Sequence, residues 1–278
     1  MIRLWIFVIL CGVFLLTSPT TWAAEPDDLA NILLQAHIAK QPIPVLTVSY
    51  KDMDLTTAYA VQKSYLDKRL PAEGMAGFKA GLTTEMAQKR FGISCAVSGI
   101  LFASGDYSGT LVIDKSAFRM PMIETEIGFV VKKTISAPLR DIDELKQYIG
   151  TVMPAIELPD LGFADVKSLK GVDLVAANVS AVQFIRGSET DIEEFDLDKT
   201  KVVLRYKGQI VNQGFGADVM GGQWEAALWL ANQVVSQGWK VEPGHVLLTG
   251  ALGQMIPGKL GSYEADYGDF GKIIFEIK

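Results

Sequence analysis

The chain has 278 residues, of which 49% are hydrophobic and 21% are charged, and its formal net charge is −6. This length and composition are ordinary for a globular protein that buries a large hydrophobic core. The negative charge and the lack of a basic run or a basic-aromatic stripe argue against a nucleic-acid partner.

The first 23 residues have the pattern of a secretory signal peptide. Arg3 supplies a positive charge, residues 4–16 are all apolar, and Ala23 lies at a small-residue cleavage site. The apolar run is shorter than the roughly 20 residues that cross a bilayer. We therefore predict cleavage and export, to the periplasm, with no stable membrane anchor after cleavage; a retained anchor is the alternative. Cys95 then remains as the single cysteine, so no internal disulfide is possible, and we expect it as a small apolar residue in a packed loop rather than as a nucleophile.

Two helices are predicted before the first strand. Apolar spacing indicates a helix over residues 27–39 and a second one that begins after the N-cap Asp54 and ends at Pro71. We interpret residues 24–76 as an N-terminal helical cover and residues 77–278 as the catalytic domain. Within this second part, no Gly/Ser-rich linker or internal repeat indicates a further division.

Short strands and tight turns dominate the sequence from Gly77 onward. The first predicted elements are a strand over 77–83, a short helix capped by Thr83 or Thr84, and a strand over 121–131. A helix opened by Asp141 or Asp143 and closed by Gly150 follows, and then a strand containing Glu157 and a hairpin over 201–211 that turns at Lys207-Gly208. The last elements are a helix over 224–237, with Leu228, Ala231 and Val235 inward, and three strands or turns over 245–249, 250–261 and 271–278. Because no βαβ rhythm is present, we predict an α+β fold on a coiled mixed sheet.

The strand over residues 121–131 carries two glutamates on one face. Glu124 and Glu126 start about 6.6 Å apart and point the same way, because side chains alternate along a strand. The solvent-exposed face of an antiparallel strand is one explanation of this pattern. A metal site is the other.

Glu157 is the single carboxylate of a second strand-like segment, residues 152–159. If it lies beside the first strand, three carboxylates share one small volume. At an effective dielectric of about 20, three like-charged pairs about 5 Å apart repel by close to 10 kcal/mol in total. A cation removes this repulsion, and three oxygen ligands select a hard ion, Mg²⁺ or Mn²⁺.

Six motifs occur in an order that resembles the 2-keto-4-pentenoate hydratases of the fumarylacetoacetate hydrolase superfamily, which also includes 4-oxalocrotonate decarboxylase. They are Ala58-Tyr59-Ala60-Val61-Gln62, Gly77-Phe78-Lys79-Ala80-Gly81-Leu82-Thr83, Ile123-Glu124-Thr125-Glu126, Pro154-Ala155-Ile156-Glu157, Trp229-Leu230-Ala231-Asn232 and Leu248-Thr249-Gly250-Ala251. The resemblance covers nearly the whole chain after residue 23. It implies the superfamily's coiled mixed β-roll, with the two helices as its N-terminal cover.

The resemblance also implies roles for individual residues. Glu124, Glu126 and Glu157 are implied as metal ligands and Lys79 as the catalytic residue, with a small 2-oxo acid as substrate. The ion would then act as a Lewis acid toward the substrate. Because Lys79 lies between Gly77 and Gly81, backbone and ligand can approach each other closely there; a solvated loop lysine is the alternative.

Three further polar residues are candidate contacts for the substrate carboxylate or water. Asn178 and Ser180 lie in the apolar segment 172–186, and Thr249 follows a predicted strand. Internal hydrogen bonds of a strand or turn are the alternative for each. Relatives form oligomers, so the resemblance also implies a homo-oligomer.

The sequence departs from the hydratase pattern at two positions. Hydratases usually carry an acidic residue before the Gly-x-Leu-Phe element, where this chain has residues 96–98, and an aspartate where it has Ala177. Three hypotheses follow: a hydratase that converts 2-hydroxypenta-2,4-dienoate to 4-hydroxy-2-oxopentanoate, a 2-oxo-acid decarboxylase of the oxalocrotonate or oxaloacetate type, and a non-catalytic exported binder of 2-oxo acids.

Overall fold

The computed structural model describes residues 25–109 and 111–278; the predicted signal peptide, residues 1–23, lies outside these ranges. The helices are α1 (Pro26–Ile38), α2 (Leu55–Glu73), α3 (Glu85–Arg90), α4 (Ile142–Lys146), α5 (Gly171–Ala176) and α6 (Gln223–Ser236). The strands are β1 (Met75–Gly81), β2 (Val97–Phe102), β3 (Val112–Ile113), β4 (Met122–Val131), β5 (Ile149–Leu158), β6 (Gln183–Arg186), β7 (Thr190–Asp191), β8 (Lys201–Tyr206), β9 (Gln209–Phe215), β10 (Val246–Leu248), β11 (Ile256–Pro257), β12 (Gly261–Asp266) and β13 (Lys272–Ile277).

Two sheets form the body of the fold. The larger has the order β2-β1-β10-β4-β5-β6, with β11 on β4 and β7 on β5, and the smaller has the order β3-β13-β12-β8-β9. Both are mixed, because β1 pairs with β10 and β3 with β13 in parallel, whereas the other strand pairs are antiparallel. The predicted α+β fold with a mixed β-roll is confirmed.

The main core joins the two sheets and α6. Its fully buried members include Ile123, Ile127 and Phe129 of β4, which form the apolar face that the alternation predicts. The opposite face of β4 is also covered, and Glu126 lies on it without solvent exposure. The glutamate face is therefore not a solvent-exposed strand surface.

The N-terminal helices pack on the roll. Leu29, Val61 and Tyr65 share a buried cluster with Val97 of β2 and Val175 of α5. Polar contacts hold the same region together. Thr47, between α1 and α2, donates to Asp173 of α5 through its N–H at 2.9 Å and its hydroxyl at 2.7 Å. The boundary at residues 76 and 77 stays a prediction. Among the described residues, no helix has both the length and the apolar character that spanning a bilayer requires.

Several predicted element ends differ from the structure. The second helix continues past Pro71 to Glu73, because a proline so near the C-terminus removes only one helical hydrogen bond, and Gly74 (φ +66°) ends the helix. The short fourth helix ends at Lys146, and Gly150 belongs to β5. Cys95, expected in a packed loop, is exposed.

Other local predictions are confirmed. Asp54, Thr84 and Asp141 cap α2, α3 and α4, each through a side-chain oxygen that accepts a backbone N–H. The β8–β9 hairpin turns at Lys207 and Gly208, and both have a positive φ, which is the type I′ geometry of a two-residue hairpin loop.

The buried face of α6 is rotated relative to the prediction. The fully buried apolar residues are Ala226, Ala227, Leu230, Ala231 and Val234. Leu228 and Val235, predicted to point inward, are only partly buried. The two alanines Ala227 and Ala231 occur one turn apart, so the helix can lie close to the sheet on that side.

Candidate active site

Strand pairing brings the three glutamates together. In the antiparallel register of β4 and β5, Glu124 lies directly opposite Glu157. Glu126 is two residues along β4 and therefore on the same face as Glu124. One carboxylate oxygen from each residue lies within 4.8 Å of the other two. The predicted convergence of two separate segments is present.

The unsatisfied oxygens of the cluster fit a cation. Oε2 of Glu126 accepts the Gly250 N–H at 2.9 Å, but Oε1 of Glu126 and Oε2 of Glu157 are buried and have no hydrogen-bond partner within the described ranges. Leaving buried carboxylate oxygens unpaired is costly. Because all the donor atoms are carboxylate oxygens, the set suits a hard divalent ion such as Mg²⁺ or Mn²⁺.

Lys79 is a buried strand residue rather than a solvated loop lysine. It lies in the middle of β1, and its Nζ donates to Oε1 of Glu157 and to the Val179 carbonyl at 3.2 Å. Burial opposes its charge, but the carboxylates of Glu157, Glu124 and Glu126 outweigh this and raise the pKa of Lys79. The side chain is therefore an ammonium group at neutral pH.

The like charges also disturb the glutamates. Burial, together with the carboxylate of Glu157 and against the attraction of Lys79, raises the pKa of Glu124 to about 7. Burial, followed by the charges of Glu157 and Glu124, raises the pKa of Glu126 well above its usual value. One ammonium group does not compensate three carboxylates, so the metal-free cluster retains protons near neutral pH.

An open cleft of about 370 Å³ leads to this cluster. Its walls are the end of β1, helix α3 and the loop from Gly250 to Met255, and Glu124 reaches it as a partly exposed side chain. Glu124 and Arg90 are the two charged residues of its lining. The cleft therefore gives a small molecule access to one ligand of the carboxylate cluster.

The three polar residues predicted to contact substrate have internal partners or lie elsewhere. Asn178 bonds to both backbone groups of Ile100, and the hydroxyl of Thr249 lies 2.6 Å from Oε1 of Gln223. Ser180 lines a separate cavity of about 50 Å³, where its buried hydroxyl has no hydrogen-bond partner among the described residues. The cleft lining includes none of these three side chains. Contact of these residues with substrate therefore stays a prediction.

The structure also shows site groups that sequence patterns did not reveal. The Val179 carbonyl and the Gly250 N–H are backbone groups, and a pattern of side chains does not report them. Arg90 belongs to a helix that the sequence predicts, but only the fold brings it to the cleft. Tyr267 donates to the Ala155 carbonyl at 2.6 Å, next to the Glu126–Ala155 pair, and burial raises its pKa well above the usual value.

The two glycines beside Lys79 lie against other parts of the protein, and Gly81 also lines the cleft. A Cβ on Gly77 (φ +150°) would lie 2.0 Å from the Val246 carbonyl oxygen, within the parallel β1–β10 pair. A Cβ on Gly81 would lie 2.6 Å from Cγ1 of Val179. Both glycines therefore permit close packing of protein against protein.

No protein-family model matches the chain. A 2-keto-4-pentenoate hydratase from Paraburkholderia phymatum is 31% identical over 250 residues, which cover 89% of this chain and 95% of the relative. The structure of a 4-oxalocrotonate decarboxylase from Pseudomonas putida G7, complexed with magnesium and adipate, aligns with a TM-score of 0.83 and 25% identity over 91% of this chain and 97% of that one. A fumarylacetoacetate hydrolase family protein from Yersinia pestis, at 15% identity and a TM-score of 0.56, covers 72% of this chain and 91% of its own and shares the fold. The chain therefore belongs to the 2-keto-4-pentenoate hydratase family.

Proposed function

We propose that the protein is a divalent-metal-dependent hydro-lyase that adds water to 2-hydroxypenta-2,4-dienoate and forms 4-hydroxy-2-oxopentanoate. The observation that carries this proposal is the carboxylate cluster of Glu124, Glu126 and Glu157, in which Glu126 and Glu157 are fully buried and Lys79 is hydrogen-bonded to Glu157. A bound Mg²⁺ or Mn²⁺ would supply Lewis acidity toward the keto and carboxylate oxygens of the substrate. The comparison with the Paraburkholderia phymatum hydratase supports the same substrate class.

Hydration moves protons as well as water. The hydroxyl of water bonds to C4 of the diene, C5 and C3 each gain a hydrogen, and the enol oxygen at C2 loses one, so the net addition is one water. Some group must carry protons between oxygen and carbon. We assign this transfer to Lys79, whose Nζ is hydrogen-bonded to Oε1 of Glu157 within the carboxylate cluster.

The hydrogen bonds of Lys79 leave it one N–H for this task. An ammonium group has three N–H donors. Two of them meet Glu157 and the Val179 carbonyl within the described part of the chain. The third is free to face a substrate oxygen or carbon.

The test is turnover of 2-hydroxypenta-2,4-dienoate by the purified protein with Mg²⁺ or Mn²⁺. Loss of the dienol absorbance, with ¹⁸O from labelled water in the product, is expected, and a chelator should stop it. Replacement of Lys79 by methionine should lower kcat by a factor on the order of 10² to 10⁴, which is the range of general acid–base catalysis. Lys63→Met, at an exposed lysine, is the control.

Measurements of metal affinity distinguish the role of Lys79 from the role of the glutamates. Lys79→Met should still bind Mn²⁺ in calorimetry, whereas Glu124→Ala should bind it more weakly. Unchanged turnover of Lys79→Met would remove this residue from the mechanism. Unchanged metal affinity of Glu124→Ala would contradict its assignment as a ligand.

Decarboxylation of a 2-oxo acid of the 4-oxalocrotonate or oxaloacetate type is the second candidate. Hydratases carry an acidic residue in the segment where this chain has Ala96, Val97 and Ser98, and all three of these residues are buried. The similarity in structure to the Pseudomonas putida decarboxylase supports this candidate. Release of CO₂ from 4-oxalocrotonate without hydration of the diene would favour it, and binding of either acid without turnover would favour a non-catalytic binder.

We also propose export and self-association. The pattern of residues 1–23 supports export to the periplasm, and fractionation of cells that produce the full chain tests it. Exposed apolar side chains on β9 and β13, among them Ile210, Phe215 and Ile274, support a homo-oligomer. Light scattering of the purified protein should give a mass that is a multiple of the monomer's.

A further inference from the structure

Three consecutive residues beside Lys79 have left-handed backbone conformations. The φ angles of Asn178, Val179 and Ser180 are +56°, +50° and +59°. Asparagine tolerates this region, but a β-branched residue such as Val179 rarely adopts it. A run of this kind persists only where surrounding contacts hold it, and such runs concentrate at functional sites.

The side chain of Asn178 supplies contacts that hold the turn. Its Oδ1 accepts the Ile100 N–H at 2.7 Å, and its Nδ2 donates to the Ile100 carbonyl at 2.9 Å. Asn178 is fully buried, so both polar groups of its amide are satisfied by one residue of β2.

Two glycines make room for this arrangement. A Cβ on Gly99 would lie 2.9 Å from the Asn178 carbonyl oxygen and 3.1 Å from its Oδ1, and a Cβ on Gly81 would lie 2.6 Å from Val179. β1 and β2 thus each have a glycine, Gly81 and Gly99, at the point where the turn packs against them.

The consequence of the left-handed turn is the direction of one carbonyl. The Val179 carbonyl accepts from Lys79 Nζ at 3.2 Å and is the second hydrogen-bond partner of this ammonium group beside Glu157. A right-handed or extended Val179 would direct this carbonyl elsewhere. Lys79 would then keep the carboxylate as its one fixed partner.

We propose that Asn178 is a positioning residue for Lys79: by bridging to Ile100 it holds the left-handed turn, and the Val179 carbonyl then orients the ammonium group toward the substrate. This inference rests on the proposed function only in that Lys79 is the proton-transferring group. It replaces the predicted contact between Asn178 and substrate. As a positioning residue, Asn178 affects the rate of the chemical step and not the affinity for metal or substrate.

The chain contains a matched control. Asn232 on α6 makes the same pair of bonds to Leu139, with its Oδ1 2.7 Å from the Leu139 N and its Nδ2 2.9 Å from the Leu139 carbonyl oxygen. Asn178→Ala and Asn232→Ala therefore each remove a pair of side-chain bonds to one backbone residue, the first pair buried beside Lys79 and the second partly buried between α6 and the segment before α4. We expect both to lower the melting temperature by a few degrees, about 2–4 °C.

The experiment measures kcat, KM and Mn²⁺ affinity for both variants. Asn178→Ala should lower kcat by about 10-fold or more with KM and Mn²⁺ affinity within about 3-fold of the parent, and Asn232→Ala should keep all three within about 2-fold. A kcat of Asn178→Ala near that of the parent, or an equal loss in Asn232→Ala, overturns the proposal. Absence of turnover in the parent protein contradicts the proposed function instead.

A second variant guards against poor folding of the first. Asn178→Asp keeps an acceptor for the Ile100 N–H but places a carboxylate oxygen against the Ile100 carbonyl. We expect the same selective loss of kcat. If neither variant at position 178 folds while Asn232→Ala does, Asn178 serves the fold as a whole and the proposal is wrong.

Discussion

Electrostatic repulsion acts between the close carboxylates of Glu124, Glu126 and Glu157. Beyond the effect of burial, the carboxylate of Glu157 raises the pKa of both Glu124 and Glu126, and Lys79 offsets only part of this effect. A divalent ion carries the missing positive charge. Proton binding and metal binding are therefore alternative ways of neutralising the same group of residues.

This competition predicts the pH dependence of metal binding. With the pKa of Glu124 raised to about 7, the metal-free protein holds a proton on this cluster below pH 7 and loses it above. Metal affinity should fall as pH falls from 8 to 6, by up to about tenfold per pH unit for each proton that must leave. Calorimetric titration with Mn²⁺ at several pH values, in buffers of different ionisation enthalpy, measures both affinity and proton release. Equal affinity at pH 6 and pH 8, without proton release, would contradict this account.

At the scale of elements, strand β1 depends on small residues where the left-handed turn packs against it. Gly81 has no room for a Cβ, which would lie 2.6 Å from Val179, whereas a Cβ on Gly109 would meet nothing within 4 Å. Steric complementarity between β1 and the turn is therefore a specific requirement of this fold, and it acts on the strand that carries Lys79.

Replacement of Gly81 by alanine tests this packing. We expect a loss of about 1–3 kcal/mol in the free energy of unfolding, the usual cost of overpacking, together with reduced turnover. Gly109→Ala should change stability by no more than about 0.5 kcal/mol, because its site is exposed. Urea denaturation measures both. Equal stability of the two variants would show that β1 and the turn adjust freely.

At the scale of the whole molecule, the N-terminal helices and the roll share buried polar contacts. Both carboxylate oxygens of Asp173 accept from Thr47, and the Lys170 N–H donates to the same group at 3.1 Å. Gln62 of α2 donates to the carbonyls of Ser98 and Val175. These bonds join the cover to β2 and α5, so we expect the two parts to unfold together.

Asp173→Ala should strongly lower the free energy of unfolding, because it removes a contact between the N-terminal helices and the roll. Buried donors on Thr47 would lose their partner, at a cost of about 1–3 kcal/mol or more because the acceptor is charged. Asp165→Ala, which removes an exposed local loop acceptor, is the control.

Two optical signals report on the two parts during unfolding. In the chain from residue 24 onward, the tryptophans are Trp224, Trp229 and Trp239, all in or beside α6, whereas far-ultraviolet circular dichroism includes α1 and α2. Coincident transitions in urea are expected. If circular dichroism is lost at a lower urea concentration than the one at which fluorescence changes, the cover is a separately folding unit.

Metal binding should stabilise the entire fold. An ion that binds only the folded state at a concentration 100 times its Kd adds about 2.7 kcal/mol of stability. For a domain of this size that corresponds to a rise in melting temperature of about 5–10 °C. Thermal denaturation with and without Mg²⁺ measures it, and Glu126→Gln should reduce the shift. An equal shift in this variant would place the stabilising ion elsewhere.

Local sequence patterns predict the two faces of β4 and the starts of several helices. Alternation along β4 separated Ile123 and Ile127 from the two glutamates, and caps such as Asp54 and Asp141 marked helix starts, because these features depend on near neighbours in the chain. The order of motifs was sufficient to recognise the family. Residue type was sufficient to suggest a hard metal ion at Glu124, Glu126 and Glu157.

Which residues contact one another depends on the fold of the whole chain. The register that sets Glu124 opposite Glu157, the burial of Lys79 between Glu157 and Val179, and the inward face of α6 depend on partners far away in the chain. The left-handed turn at 178–180 contradicts the local preference of valine, and contacts with β1 and β2 hold it there. Long-range packing outweighs local preference here, because the buried contacts that it satisfies are worth more than the backbone strain that it imposes.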